Sequence, residues 1–297
     1  MCDTLCALPT ATVDGVALFA KNSDRPAGEP QDLEWHPARS DHGRLRATHI
    51  DIDGAGGETI GVLGSRPRWC WGFEHGVNEA GLAVGNEAVW TTRNPARHPD
   101  ALIGMDLVRL ALERADRARA GVEVIVDLLD RYGQGGAGHD GGKEPYWSSF
   151  LLVDPHEAWV VDTSGPDHAA EQVDRTRALS NRPGIEAFAA EHELRRDVID
   201  ARVRPRLDAS CAVLADGPLS APRLQRHLRG HVGGEDGWTI CMHAPEQETT
   251  ASVVAPLPAE GPRIAHVLLG HPCRSMYVPV VVGEPLGSVP AWERFAA

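Results

Sequence analysis

Short apolar runs broken by Gly, Pro and Asp dominate the chain, and only a few windows hold a helical period. "TLCALPTATVDGVALFAKNSD" reads as two strands turning at Asp14-Gly15, because Asp-Gly supplies the positive φ angles of a tight hairpin turn. The first strand begins at Cys2. The second, "GVALFA", ends at "KNSDRP", so residues 21 to 24 return to the start of the chain. Further on, "RATHIDID" forms one strand within a Pro- and Gly-rich stretch. "RPRWCWGFEHGVNEAGLAVGNEAVW" gives strand-like pieces punctuated by turn residues.

"DALIGMDLVRLALERADRA" places Leu102, Met105, Leu107, Val108, Ala111 and Leu112 near one helical face, with Asp100 as candidate N-cap. "GVEVIVDLLDRYG" is a second, shorter helix, and the pair is expected to pack as an antiparallel hairpin on a sheet. The glycine-dense "GQGGAGHDGGKEP" lacks the Lys-Ser/Thr ending of a phosphate-binding loop and reads as a connector rather than a lid. "SSFLLVDP", "EAWVVDTS", "AAEQVD" and "RALSN" are strands at meander spacing. "IEAFAAEHELRRDVIDARV" and "APRLQRHLRGH" are helical, and "TICMHA", "TASVVAPL", "RIAHVLLG" and "MYVPVVVG" are closing strands. Strands and helices in blocks, without strict βαβ alternation, give an α+β fold around antiparallel sheets. With no repeat or linker, residues 1 to 297 form one domain.

Composition narrows the function. The 297 residues carry 29 Lys and Arg against 42 Asp and Glu, a formal net charge of −13. An acidic surface without a basic block repels phosphate backbones and anionic lipid, so neither nucleic acid nor a membrane is an expected partner. No apolar run spans a bilayer and no basic, then apolar, leader precedes the first strand, so a cytoplasmic location is expected. Six cysteines (Cys2, Cys6, Cys70, Cys211, Cys241, Cys273) are scattered without CxxC pairs.

Among them Cys2 has two readings. It is a small apolar residue opening a strand, or, once Met1 is removed, an N-terminal residue carrying both a nucleophile and a base. An α-amine with a pKa near ~7.7–8.0 is partly free base at neutral pH, within reach of its own thiol. The polar cluster Lys21, Asn22, Ser23 and Asp24 is brought close by the turn. A carboxylate there orients the amine and a cation lowers the thiol pKa, although the cluster also reads as a solvated strand end. Elsewhere, "DIDGAGGE" lacks the glutamate spacing of an EF-hand and reads as a turn. His227 and His231, four apart on a helix, lack a third ligand, so no metal is assigned. Trp69, Trp71 and Trp90 are core or pocket wall.

Taken in order, "MCDTL…DGVALFAKNSDRP", "GVNEAGLAVGNEAVW", "YGQGG", "SFLLVDPHEAWVVDTSG", "RALSNRP" and "ICMH" resemble the secernin and cysteine dipeptidase family of N-terminal-nucleophile hydrolases, related to choloylglycine hydrolases and penicillin V acylases. The resemblance runs from residue 2 to about residue 280. It implies a four-layer α/β/β/α sandwich with two antiparallel sheets, and Cys2 as nucleophile after loss of Met1. Asp24 falls where the relatives bind the cysteine's amine, and Lys21 and Asn22 occupy the first positions of their Arg-Asn-x-Asp motif. Lysine keeps the charge but lacks arginine's planar fork. Asn181 matches the asparagine of the oxyanion hole, with a backbone donor expected near Asn78 and Asn86. A late arginine of the relatives has no assigned counterpart; Arg204 and Arg206 fit only by rough position. His243, in "ICMH", is structural or near the site.

The implied activity is cleavage of an amide bond in a dipeptide or other small acyl-amide through a Cys2 thioester, with no metal or organic cofactor. Two rivals stand beside it: an acyltransferase or specialised amidase using the same acyl-enzyme, and a non-catalytic secernin-like interaction protein. By analogy with the fold, self-association into a homo-oligomer is also expected.

Overall fold

The computed structural model describes residues 1–142 and 144–287. The strands, in chain order, are β1 (Cys2–Ala7), β2 (Ala17–Pro26), β3 (Gln31–His36), β4 (Ser40–Asp41), β5 (Arg44–Arg46), β6 (Asp51–Asp53), β7 (Gly57–Glu58), β8 (Val62–Pro67), β9 (His75–Asn78) and β10 (Ala83–Val89). After helices α1 (Gly104–Arg114) and α2 (Ala118–Tyr132) come β11 (Trp147–Val153), β12 (Ala158–Ser164), β13 (Asp167–Gln172) and β14 (Thr176–Leu179). Helices α3 (Glu186–His192), α4 (Asp197–Ala215) and α5 (Ala221–Leu228) precede β15 (Gln247–Leu257), β16 (Ile264–Leu269) and β17 (Val278–Val281).

Two antiparallel sheets face each other. One has six strands in the order β14-β1-β2-β15-β16-β17, the other seven in the order β13-β12-β11-β10-β9-β8-β3. Between them lies a core that includes Phe19, Leu151, Val160, Leu179 and Val253. Helices α1 and α2 cover the outer face of the seven-stranded sheet through Leu107, Leu110, Ile125 and Leu128 against Val84, Phe150 and Leu152. Helices α4 and α5 cover the other sheet, setting Leu214, Leu224 and Leu228 against Leu5, Leu18 and Val254. The result is the four-layer α/β/β/α sandwich. Because both faces of β1 and β2 are covered, their side chains are buried without alternation, all six residues of β1 included.

Several expectations change in detail. The β1–β2 connection is not a two-residue turn at Asp14-Gly15 but a longer loop with a 3₁₀ turn at Pro9–Ala11. Strand β2 does not end at "KNSDRP"; it runs through it to Pro26, because β15 pairs along its whole length. "RATHIDID" folds back on the preceding chain as the β5–β6 hairpin. Helix α1 starts at Gly104, and it is Asp106 rather than Asp100 that accepts the Ile103 backbone N–H, at 3.3 Å. Helix α2 is the longer of the pair, 15 residues against 11. The helical stretch from residue 185 breaks into α3 and α4. "TICMHA" is no strand but a buried loop stitched by hydrogen bonds to neighbouring loops. Among the described residues no helix is long and apolar enough to cross a membrane.

Candidate active site

Strands β1 and β2 are antiparallel neighbours with Cys2 opposite Ser23 and Thr4 opposite Lys21. Directly opposed residues project to the same side of a sheet. Cys2, Lys21 and Arg25 therefore point at the seven-stranded sheet, whereas Asp3, Asn22 and Asp24 point at the helical layer. All of these side chains are buried, so the solvated-strand-end reading of residues 21 to 24 does not hold.

On the sheet side the Cys2 thiol lies 3.9 Å from Glu74 Oε2. Glu74, just before β9, is clamped by Lys21 Nζ at 3.3 Å and Arg25 Nη1 at 2.8 Å. Burial pushes the Glu74 carboxyl up, but these two cations outweigh it and hold it at about 2. The Cys2 thiol, with Met1 in place, is raised by burial and eased downward by Lys21. Gly85 on β10 makes room for that lysine: a Cβ there would sit 2.8 Å from Lys21 Cδ and 3.0 Å from the Phe19 ring.

At the backbone, Asn181 follows β14 with φ 49°. Its Oδ1 accepts the Cys2 N–H at 2.8 Å and Arg206 Nη2 at 2.8 Å, while its Nδ2 donates to Ala88 O at 2.9 Å. Two donors on one atom settle which end of the amide is oxygen. The Asn181 N–H donates to Glu87 Oε2 at 2.7 Å. On the helical side, Arg206 Nη1 from α4 reaches Asp3 Oδ2 at 2.7 Å, Cys2 O at 3.2 Å and Asp24 Oδ2 at 3.8 Å. A β-bulge between Thr249 and Ala251 lies opposite Ser23 and Asp24, and Thr249 Oγ1 donates to Asp24 Oδ1 at 2.6 Å. Asp24 Oδ2 is buried without a hydrogen-bond partner. Burial, with Asp3 beside it, pushes this carboxyl up against the pull of the chain-terminal ammonium and Arg206.

Met1 closes the site. Its ammonium donates to Gln247 Oε1 at 2.9 Å and to Asp24 O at 3.1 Å. It lines a cavity of about 250 Å³ with Trp90, Tyr146, Trp238, His139, Glu144, Arg202 and Gln247. The Arg202 guanidinium lies 3.9 Å over the Trp238 ring. A larger cavity of about 580 Å³ between β14 and helices α3 and α4 contains none of Met1, Cys2, Asp24 or Asn181.

The fold thus gathers Cys2, Asp24, Asn181 and Lys21. It does not gather the other three asparagines. Asn22 spends its amide on Leu228 O and Ile240 O, Asn78 on Leu112 O and Ala115 O, and Asn86 faces the start of α1, its Nδ2 3.9 Å from Met105 Sδ. Arg204 is exposed on α4, whereas Arg206 is fully buried at the site. The sequence pattern does not single out Asp3, Glu74 or Glu87 and points to Arg206 only by rough position; a charged residue inside each of the stretches "GFEHGV" and "GNEAVW" is the available signal. His227 is turned to Ser210 Oγ, 3.1 Å away, so it does not pair with His231.

No protein-family model matches the chain. Solved structures do. A variant of conjugated bile acid hydrolase from Clostridium perfringens superposes with a TM-score of 0.54 at 12% identity, over 96% of this chain and 98% of that one. The chain has the N-terminal-nucleophile hydrolase fold. Penicillin V acylase from Agrobacterium tumefaciens shares this fold with a TM-score of 0.54 at 12% identity, over 91% and 84% of the two chains. So does a Caenorhabditis elegans orthologue of N-acylethanolamine-hydrolyzing acid amidase, at 0.50 and 11% over 87% and 93%. In the N-terminal-nucleophile fold of this chain, Cys2 begins β1, the strand between β14 and β2, with its nitrogen, thiol and carbonyl each beside a different partner.

Proposed function

We propose that this protein is a cysteine-dependent amide hydrolase, activated by loss of Met1, whose substrates are dipeptides or other small acyl-amides. The observation that carries the reading is the seat of the Cys2 nitrogen. It is fixed by Asn181 Oδ1 at 2.8 Å, on a strand whose neighbour holds Asp24, whose Oδ2 makes no hydrogen bond. Freed by cleavage of the Met1–Cys2 bond, that nitrogen becomes an amine with two acceptors to orient it.

The amine takes the thiol proton, and the thiolate beside Lys21 attacks the substrate carbonyl. Asn181 Nδ2 has two hydrogens and spends one on Ala88 O; the second, with a backbone N–H, stabilises the developing oxyanion. The tetrahedral intermediate expels the amine leaving group, which receives the proton from the Cys2 ammonium. Water then attacks the thioester, returning the thiol and releasing the acid. A cavity of about 250 Å³ favours a small substrate. Its aromatic walls and Arg202 suit a short peptide with a free carboxylate.

Intact-mass analysis before and after a brief alkylation pulse tests the processing. Met1 should be absent, and Cys2 should label first among the six cysteines. Hydrolysis of a dipeptide panel should vanish in Cys2→Ala. In Arg202→Ala, KM should rise for dipeptides with a free carboxylate and stay unchanged for the corresponding amides. Hydrolysis by protein that retains Met1, or activity that survives Cys2→Ala, would sink the reading.

A further inference from the structure

On the far side of the Asp24 network, three loops bring together four side chains that the hydrolase chemistry does not use. His231 follows α5, Cys241 and His243 lie on the loop before β15, and Cys273 lies between β16 and β17. One ligand atom from each of the four residues falls within 4.8 Å of all the others. His243 Nε2 is the common neighbour, 3.5 Å from Cys241 Sγ and 3.2 Å from Cys273 Sγ. We propose that His231, Cys241, His243 and Cys273 bind a single thiophilic divalent cation, Zn²⁺ foremost, in a tetrahedral Cys₂His₂ site.

The spacing suits it. With metal–sulfur and metal–nitrogen bonds of the usual length, the edges of a tetrahedral zinc site are about 3.4–3.8 Å. The two observed sulfur-to-nitrogen separations are already close to that value. The donor set suits it as well. Two thiolates balance a doubly charged ion, so a half-buried site ends neutral, and soft sulfur with imidazole selects zinc over magnesium or calcium. Metal entry releases the two thiol protons.

The surroundings are arranged around His243. The His271 ring stacks on it at 4.3 Å and 8°, while His231 meets it edge-on at 5.1 Å. His271 Nε2 in turn lies 3.3 Å from Glu248 Oε2. The ligand loop is held from behind by Cys241 N donating to Gly230 O at 3.0 Å and His243 N donating to Gly237 O at 2.9 Å. His231 is exposed and Cys241 buried, which leaves an entry side open.

The ion would staple the loop that carries Met242, the residue between two ligands. Met242 N donates to Thr249 Oγ1 at 2.9 Å, and that hydroxyl donates to Asp24 Oδ1. Ile240 O, one residue before Cys241, accepts from Asn22 on β2. The site is therefore a structural clamp on the strand that carries Asp24, and it stands independently of the proposed hydrolase activity.

Elemental analysis of the purified full-length chain, followed by chelator stripping and titration with Co²⁺, tests the site without any substrate. About one zinc per chain is expected. Co²⁺ should give intense tetrahedral visible bands and a thiolate-to-metal band in the near ultraviolet. Cys241→Ser, Cys273→Ser and His231→Ala should each weaken metal binding at least about tenfold, while His227→Ala should leave it unchanged. Should the cysteine variants fail to fold, the wild-type cobalt spectrum decides alone. Wild-type protein that shows only the pale spectrum of octahedral cobalt overturns the proposal. So does an intact mass two hydrogens light with Cys241 and Cys273 joined, or a thiolate band that survives loss of both cysteines.

Discussion

Asn181 sits in the left-handed region, which asparagine and aspartate tolerate better than most residues, and its N–H, Oδ1 and one Nδ2 hydrogen are bonded. Asn181→Asp therefore keeps the backbone and the acceptor for Cys2 N and Arg206, while it replaces the Nδ2 donor by a charged oxygen facing Ala88 O. Steady-state kinetics should show kcat lower by about 10²–10³, with a smaller change in KM. Glu74 is the counter-ion of the thiol's surroundings. Glu74→Gln leaves Lys21 without a carboxylate partner, and urea melts should show a loss of about 3–5 kcal/mol, the cost of breaking a buried pair. Because the Glu74 pKa is depressed to about 2, its contribution in the wild type is fully present above about pH 4.3. It is lost as the pH falls toward 2. Cys2, Lys21 and Asp24 were readable because one hairpin holds them all. Glu74 and Arg206 were not, since their meeting with Cys2 comes from sheet stacking and helix docking, which leave no local period.

At the level of elements, the site depends on how closely β10 approaches β2. Gly85→Ala puts a methyl against Lys21 and Phe19, and thermal unfolding should show an overpacking cost of about 1–3 kcal/mol. The same methyl moves the Lys21 ammonium, so the alkylation rate of Cys2 should fall in parallel. A variant that loses stability but keeps that rate would separate packing from thiol activation. Most strands and helices were legible from apolar runs and helical period. "TICMHA" reads as a strand but folds as a loop, because an apolar run records burial, not conformation. Its backbone is satisfied by bonds to the 230–237 loop and by an isolated bridge to the start of β15 rather than by a continuous ladder. "KNSDRP" reads as a strand end for the opposite reason: its polar side chains are buried against partners that other elements supply.

Across the whole molecule, buried ionisable groups concentrate where the two sheets and the α4 layer converge. Burial, reinforced by Asp3 and opposed by Lys21, raises the Glu87 carboxyl to about 8. A raised carboxyl favours the protonated fold, so its stabilising effect is full below about pH 4.3 and fades as the pH climbs to about 8. Urea melts over that window should show the wild type losing stability relative to Glu87→Gln, by at most about 1.4 kcal/mol per pH unit. A parallel pair of curves would place the titration elsewhere. The four layers follow from the sequence pattern and the resemblance together, but the charged centre is a product of their assembly. The first residue, half-buried, borders that centre, its ammonium bound to Gln247 and Asp24 O. A fusion tag placed ahead of it would have to leave through the cavity walled by Trp90, Tyr146 and Trp238. Recombinant material carrying such a leader should fold and stay inert until a protease exposes Cys2.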